Sequence, residues 1–222
     1  MRHYVPPPPG DLCEVENSFY LRGHSSRIAK LLAHYELYRQ ILDLPGAIVE
    51  LGVYKGTSLM RFASYRGILE NADARPIIGF DAFGAFPREA VSGEADQRFI
   101  AEFEAAGGPG IARADLGALI ADKGFTNIEL VEGNVFETLP AFLAAHPALR
   151  VALLHLDLDV YEPTAFALDQ LLPHMVCGGV VVFDDYGLVE GATRAAEEAC
   201  DRLRTRMTKL PHHMNPAYFI AP

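Results

Sequence analysis

The run VALLHLDLDVYEPT, residues 151–164, joins a largely apolar stretch to two carboxylates. Val151 to Leu156 reads as a buried strand, and the alternation of side chains along it would point Asp157 and Asp159 to one side. A second apolar run, Val180 to Phe183, ends in another pair, Asp184 and Asp185. Open α/β sheets hold their ligands beyond the carboxyl ends of their strands, so both runs are expected to open onto one crevice. The four carboxylates are expected to include a divalent-metal site. Hard oxygen donors without thiols suit magnesium, manganese or calcium better than zinc or copper. Gathered together, the carboxylates repel unless a cation, backbone amides or basic side chains compensate them. His155 shares the alternation of Asp157 and Asp159, and is either a partner behind those carboxylates or a satisfied core histidine. The neighbours His212 and His213 resemble a zinc site only superficially, since consecutive residues of an extended segment point apart.

Upstream, Ala47 to Leu51 is a short strand followed by a glycine-containing turn and a helix from about Ser58 to Glu70. The turn carries Glu50, Gly52, Gly56, Thr57 and Ser58 in an E-x-G-x-x-x-G spacing. Such a turn lets backbone approach a ligand and offers the amides of a helix start to a carboxylate or phosphate, and Glu50 can accept from a ligand's ammonium or hydroxyl groups. A tight strand-to-helix turn with no ligand is the alternative. Pro76 to Phe80 is the next strand and ends in Asp81, placed either to hold a ribose diol or to cap the following turn. Asn127 to Val131 is a third strand, followed by Gly133 and Asn134, where Asn134 either addresses a heteroaromatic base or forms the turn.

Helices are expected at about Ser25 to Leu42, Glu94 to Ala106, Ala114 to Lys123, Leu139 to Ala145, Thr164 to Met175 and Leu188 to Leu203. The first carries an apolar stripe of Ile28, Leu31, Leu32, Tyr35, Tyr38, Ile41 and Leu42, read as core or subunit contact. Gly178 and Gly179 are expected to break the chain before the Val180 strand. Met207 to Leu210 and Ala217 to Ile220 are expected to pair antiparallel. The whole is an α/β chain with a mostly parallel sheet.

The segment 1–22, with Pro6 to Pro9, reads as a stiff polyproline arm, an SH3-type ligand being the alternative. Residues 23–222 form one domain, with a lid or acceptor-binding insertion at about 82–112. Half of the 222 residues are hydrophobic, and 29 acidic against 19 basic residues give a net charge of −10, which disfavours a duplex nucleic-acid partner. Cys13, Cys177 and Cys200 have no metal-like spacing, and an odd number argues against a disulfide framework. Without a signal-peptide pattern or an apolar run of spanning length, a cytoplasmic location without membrane contact is expected.

The segments VELGVYKGTS, GFDAF, DLDVYEPT and GGVVVFDDY together resemble the macrocin O-methyltransferase family over about residues 14–222. The first is common to many class I methyltransferases, whereas D-x-D-x-Y-E followed by G-G and D-D-Y is more specific. The resemblance implies a class I S-adenosylmethionine-methyltransferase fold, Rossmann-like, with seven strands, an antiparallel last strand and helices on both faces. It implies S-adenosylmethionine and Mg2+ or Mn2+ as cofactors, a small-molecule sugar acceptor such as a deoxyhexose, and a homo-oligomer. Glu50, Gly52, Gly56 and Ser58, with Thr57 beside them, would surround the amino-acid end of the donor, Asp81 its ribose, and Gly133 and Asn134 its adenine. Asp157, Asp184 and Asp185 match the magnesium ligands. Asp159 is the candidate base, a role Asp157 can share. A catechol-type acceptor, a metal-dependent hydrolase and a non-catalytic nucleoside-binding protein are the competing readings; a hydrolase leaves Gly52 and Asp81 without a role.

Overall fold

Apolar runs bounded by turn residues set the strands, and their connections set the sheet. The structure is a computed structural model that describes residues 3–8, 10–88 and 91–222. Its strands are β1 (Ala47–Leu51), β2 (Ile77–Asp81), β3 (Ile128–Glu132), β4 (Val151–Leu156), β5 (Met175–Phe183), β6 (Thr208–Lys209) and β7 (Ala217–Ile220). The helices are α1 (Leu12–Arg22), α2 (Ser25–Arg39), α3 (Thr57–Leu69), α4 (Glu94–Gly107), α5 (Arg113–Asp122), α6 (Val135–Ala145), α7 (Tyr161–Leu171) and α8 (Glu190–Leu203).

The strands form one sheet in the order β3-β2-β1-β4-β5-β7-β6, with β7 alone running against the rest. Residues of β1 and β4 are buried throughout, as expected of parallel strands covered on both faces. Val49, Leu51, Leu154 and Phe183 pack towards α6, α7 and α8. On the other face Ile48, Val180 and Val182 pack with α2, α3 and α5. The order reverses between β1 and β4, and a crevice at the carboxyl ends of these two strands follows from that reversal.

Three elements differ from the sequence expectation. The glycines at 178 and 179 lie inside β5 and do not interrupt it. Gly178 takes φ +82° where the register with β4 slips, and Gly178 and Gly179 exchange backbone hydrogen bonds with Ala221 at 2.9 and 2.7 Å. Pairing on both sides thus carries the strand through an irregularity that the local sequence marks as a stop. Residues 12–22 of the expected extended arm form α1, started by Asp11, whose side chain accepts from the Cys13 amide. Pro9 lies outside the described residues, while Tyr4 bridges to Ile111 and so ties the start of the chain to the end of the 82–112 segment. In α2 the buried residues are Ala33, His34, Leu37 and Tyr38, whereas Leu32 is exposed. The inward face is therefore rotated from the expected stripe and includes a histidine.

Within 82–112, apart from Glu89 and Ala90, which lie outside the described residues, α4 packs through Ile100 on Val91 and Val160. Buried Asp96 accepts from the Tyr161 amide at 2.9 Å and so caps α7.

Candidate active site

Four residues of the crevice share one construction. Each is the first residue beyond a strand, and its amide donates to a carbonyl at the end of the neighbouring strand. Gly52 donates to Phe80 (2.9 Å), Gly133 to Asp81 (2.9 Å), Asp157 to Leu51 (2.9 Å) and Asp184 to Leu156 (3.0 Å). The sheet ladder is thus extended by one rung and fixes these residues to rigid elements. Gly52 has no substitute at its position: its φ is +90°, and a Cβ would fall 1.8 Å from the Asp157 carbonyl oxygen.

The loops beyond these rungs enclose a cavity of about 830 Å³. Its wall includes Gly52, Thr57, Ser58, Asp81, Gly133, Asn134, Asp157, Asp159, Asp184 and Asp185. Glu50 and Gly56 are not part of that wall. Glu50 is fully buried under α3 and pairs with His155, and Gly56 (φ +80°) starts α3 against Leu116. The first turn of α3 has no side-chain cap, which leaves its amides for an anionic ligand. Both oxygens of Asp81 already accept backbone amides, from Val53 and Tyr54 at 2.8 Å and from Phe83 at 2.6 Å. The carboxylate therefore shapes the glycine turn while facing the cavity. Asn134 caps α6 through the Phe136 amide at 3.1 Å.

Asp157 and Asp159 do not share a side through strand alternation, because β4 ends at Leu156. Asp159 reaches the cavity through a turn in which its own φ is +64°. Tyr54 and Phe83 at the same crevice also have positive φ, 52° and 47°. Such residues cost about 1–3 kcal/mol each and gather at functional sites.

One oxygen of each of Asp157, Asp184 and Asp185 lies within 4.8 Å of the others. Asp184 is the best compensated: Lys30 donates to its Oδ2 at 2.5 Å, and its Oδ1 lies 3.5 Å from His155 Nε2 and 3.9 Å from His34 Nε2. Burial alone would raise its carboxyl, but His155, His34 and Lys30 outweigh burial and hold it well below the usual range. Burial and the neighbouring aspartates push Asp157 and Asp159 well above that range, and Asp185 to about 6. The group is thus short of positive charge. Asp185 Oδ2 is buried without a hydrogen-bond partner, and Asp184 Oδ1 has only the two imidazoles beside it. A hard divalent cation fits this donor set and would be held by Asp157, Asp184 and Asp185.

Sequence reasoning missed the basic residues of the cavity. Arg27 and Lys30 from α2 and Arg61 from α3 line it, beside His34, whose pKa burial lowers to about 4. Their signal was spacing: 27, 30 and 34 fall on one helical face. His155 unites its two expected roles, since it is fully buried, donor-paired with Glu50 at 3.0 Å, and faces Asp184.

A sheet of this order, with a glycine turn after β1 and an acid ending β2, is the class I methyltransferase fold. The solved structure of CalS11, described as a calicheamicin methyltransferase, superposes with a TM-score of 0.74 at 31% identity, covering 97% of this chain and 86% of that one. The O-methyltransferase NovP shares the fold, with a TM-score of 0.72 at 19% identity over 86% of this chain and 78% of that one. Residues 25–211 match the macrocin O-methyltransferase (TylF) family, and the chain belongs to it. A tetracenomycin-C derivative 4'-O-methyltransferase of Streptomyces olivaceus is 30% identical over 148 residues, 65% of this chain and 54% of that protein. Demethyldecarbamoylnovobiocin O-methyltransferase of Streptomyces niveus is 28% identical over 162 residues, 70% of this chain and 58% of that protein. The chain thus spans rather more than half the length of these two relatives. No described helix is long and apolar enough to cross a membrane.

Proposed function

We propose that the chain is an S-adenosylmethionine- and divalent-metal-dependent O-methyltransferase acting on a sugar hydroxyl, with a nucleotide-linked or glycosidic deoxyhexose as acceptor. The observation that carries this reading is the sharing of one 830 Å³ cavity by the glycine turn, Asp81 and three clustered carboxylates. That volume has room for a donor and an acceptor together. When bound, the donor supplies an electrophilic methyl group and the cation supplies positive charge beside the reacting oxygen.

The chain's own residues do the rest. Gly52 and the first turn of α3 receive the donor's amino-acid end, Asp81 faces its ribose, and Gly133 and Asn134 lie towards its base. Asp157, Asp184 and Asp185 hold the cation. Asp159 takes the proton of the acceptor hydroxyl as the new C–O bond forms and the S–C bond breaks, its electron pair passing to sulfur. The raised basicity that burial and Asp185 give Asp159 suits that task. Phe86, Phe99 and Phe103 of the 82–112 segment line the cavity and support its role as a lid that excludes water.

Arg27 and Arg61 form no salt bridge among the described residues, and with Lys30 they favour an anionic, nucleotide-linked acceptor over a neutral glycoside or a catechol. CalS11, which is described as a TDP-rhamnose 3'-O-methyltransferase, is consistent with that preference. The apolar residues of α1, none of them buried, support a homo-oligomer, and the composition supports a cytoplasmic location.

Incubation with labelled donor, Mg2+ and a panel of nucleotide deoxyhexoses, glycosides and catechols tests the reading. Transfer to the nucleotide sugars is expected, and Asp159→Asn should lower turnover about 10²- to 10⁴-fold with donor affinity kept. Absence of both transfer and donor binding would sink the proposal; unchanged turnover in the variant would remove Asp159 as the base.

A further inference from the structure

The family resemblance assigns Glu50 to the donor, but its position suits another task. Glu50 and His155 are register partners on β1 and β4, and both side chains point to the face covered by α2 and α3. Both are fully buried, and Glu50 is absent from the cavity wall. His155 Nδ1 lies 3.0 Å from Glu50 Oε1, while its Nε2 faces Asp184 Oδ1 at 3.5 Å. The rings of Phe62 and His34 stand edge-on to the imidazole at centroid distances of 5.5 and 5.2 Å and leave it no room to turn away. Asp184 is therefore divided: Oδ2 faces Lys30 at the cavity, and Oδ1 faces the buried histidines.

We propose that Glu50 and His155 are positioning residues for the metal site, with Glu50 orienting the imidazole and the imidazole orienting Asp184, so that Oδ2 is the oxygen presented to a divalent cation. This deepens the methyltransferase reading and rests on its metal assignment. Glu50 lies at Nδ1 and Asp184 at Nε2, so an imidazole carrying a proton on each nitrogen bridges the two carboxylates, and Glu50 fixes the ring that faces Asp184, as outer partners orient metal ligands elsewhere. Lys30 occupies the Oδ2 side and is displaced by the cation, whereas the Oδ1 side stays with His155. Glu50 then makes no contact with the donor.

The test is the binding of Mn2+ to the protein without acceptor, followed by calorimetry and by the spin-resonance signal of the ion, with donor affinity measured in parallel. Glu50→Gln keeps the side-chain volume and should weaken Mn2+ binding about 10- to 100-fold while leaving donor affinity within about two-fold. Weakened donor binding with Mn2+ affinity retained would make Glu50 a donor contact and overturn the proposal, as would a variant unchanged in both. His34, His155 and Asp184 also bring one donor atom each within 4.8 Å of one another. A tight Zn2+ complex of the parent that His34→Ala abolishes would make His155 a ligand and overturn the relay as well. Should Glu50→Gln not fold, ring-nitrogen resonances of the ¹⁵N-histidine-labelled parent decide: Mg2+ should shift the His155 signals, and donor alone should not. Signals indifferent to Mg2+ refute the relay. A parent that binds no divalent cation refutes the metal reading and the relay with it, whereas a parent that binds Mn2+ as tightly after Glu50→Gln refutes the relay alone.

Discussion

Helices α2 and α3 carry charged clusters at both of their ends, and the two clusters are built on opposite principles. At the amino ends of β1 and β2, Tyr38 donates to Glu70, and Arg75 grips the same carboxylate through Nε at 2.9 Å and an Nη at 2.8 Å. The remaining Arg75 donors reach the carbonyls of Gly46 at 3.1 Å and Ile41 at 2.9 Å, and buried Arg66 donates to the carbonyls of Arg75, Thr126 and Asn127. No buried polar side-chain atom of that cluster lacks a hydrogen-bond partner. At the carboxyl ends, of the five carboxylates of Glu50, Asp157, Asp159, Asp184 and Asp185, only Glu50 and Asp184 have ion-pair partners among the described residues, His155 for the first and Lys30, His34 and His155 for the second. Of the eight buried side-chain polar atoms without a partner among the described residues, six belong to His34, Glu50, His155, Asp184 and Asp185. Orphaned polar atoms are rare in folded proteins, so their concentration at one end marks the end that awaits ligands. The satisfied cluster secures the frame on which the unsatisfied one is displayed.

The sharpest way to break this comparison is at Arg75. Arg75→Ala leaves the half-buried Glu70 without its paired cation and the Gly46 and Ile41 carbonyls without their donor, and should cost about 2–3 kcal/mol of unfolding free energy in urea. Donor affinity of the folded fraction should remain. A loss below about 1 kcal/mol, or a loss of donor binding at native conditions, would end the division into frame and site.

Acid sharpens the same division. Burial alone would raise the Glu70 carboxyl, but Arg75 and Tyr38 outweigh it and hold it below 4.5. A carboxylate depressed by folding contributes stability that is complete above its unfolded value and disappears as pH falls through its folded one. Unfolding free energy measured between pH 6 and 3 should therefore decline below about pH 4.5, and Glu70→Gln should flatten that decline. An identical slope in the variant would show that Glu70 does not couple acid to unfolding.

How much of this could be read from the chain alone depended on whether a feature is local. β1 and β4 were legible because short apolar runs end in glycine or aspartate, and Asp157 and Asp184 came together because a parallel crossover between β4 and β5 aligns the strand ends. The inward turn of α2 was not, because His34 is buried by what β4 and α3 present to it, and a histidine does not count as apolar in a periodicity. The partner of Glu50 was hidden for a related reason. Its place in the glycine motif is local, but the residue it faces, His155, is 105 positions away. β5 ran through its glycines because backbone partners on both sides outweigh a local break.

The smallest expected effect separates residues within the open cluster itself. Asp157 is surrounded by Asp184, Asp185 and Asp159, and its carboxyl is raised by burial first and by those neighbours next. Folding therefore works against its charge, and Asp157→Asn should stabilise the metal-free protein. Asp184 has the opposite balance, because Lys30 and His155 lose their partner when it is neutralised; Asp184→Asn should destabilise. Urea unfolding in EDTA measures both. Mg2+ should reverse the first result, since the cation stabilises the parent by binding its folded form and the variant has lost a ligand. If both variants respond with the same sign, the cluster acts as a uniform patch of negative charge; opposite signs mean that Asp184 is a built anchor and Asp157 a ligand held in readiness at a cost to the fold.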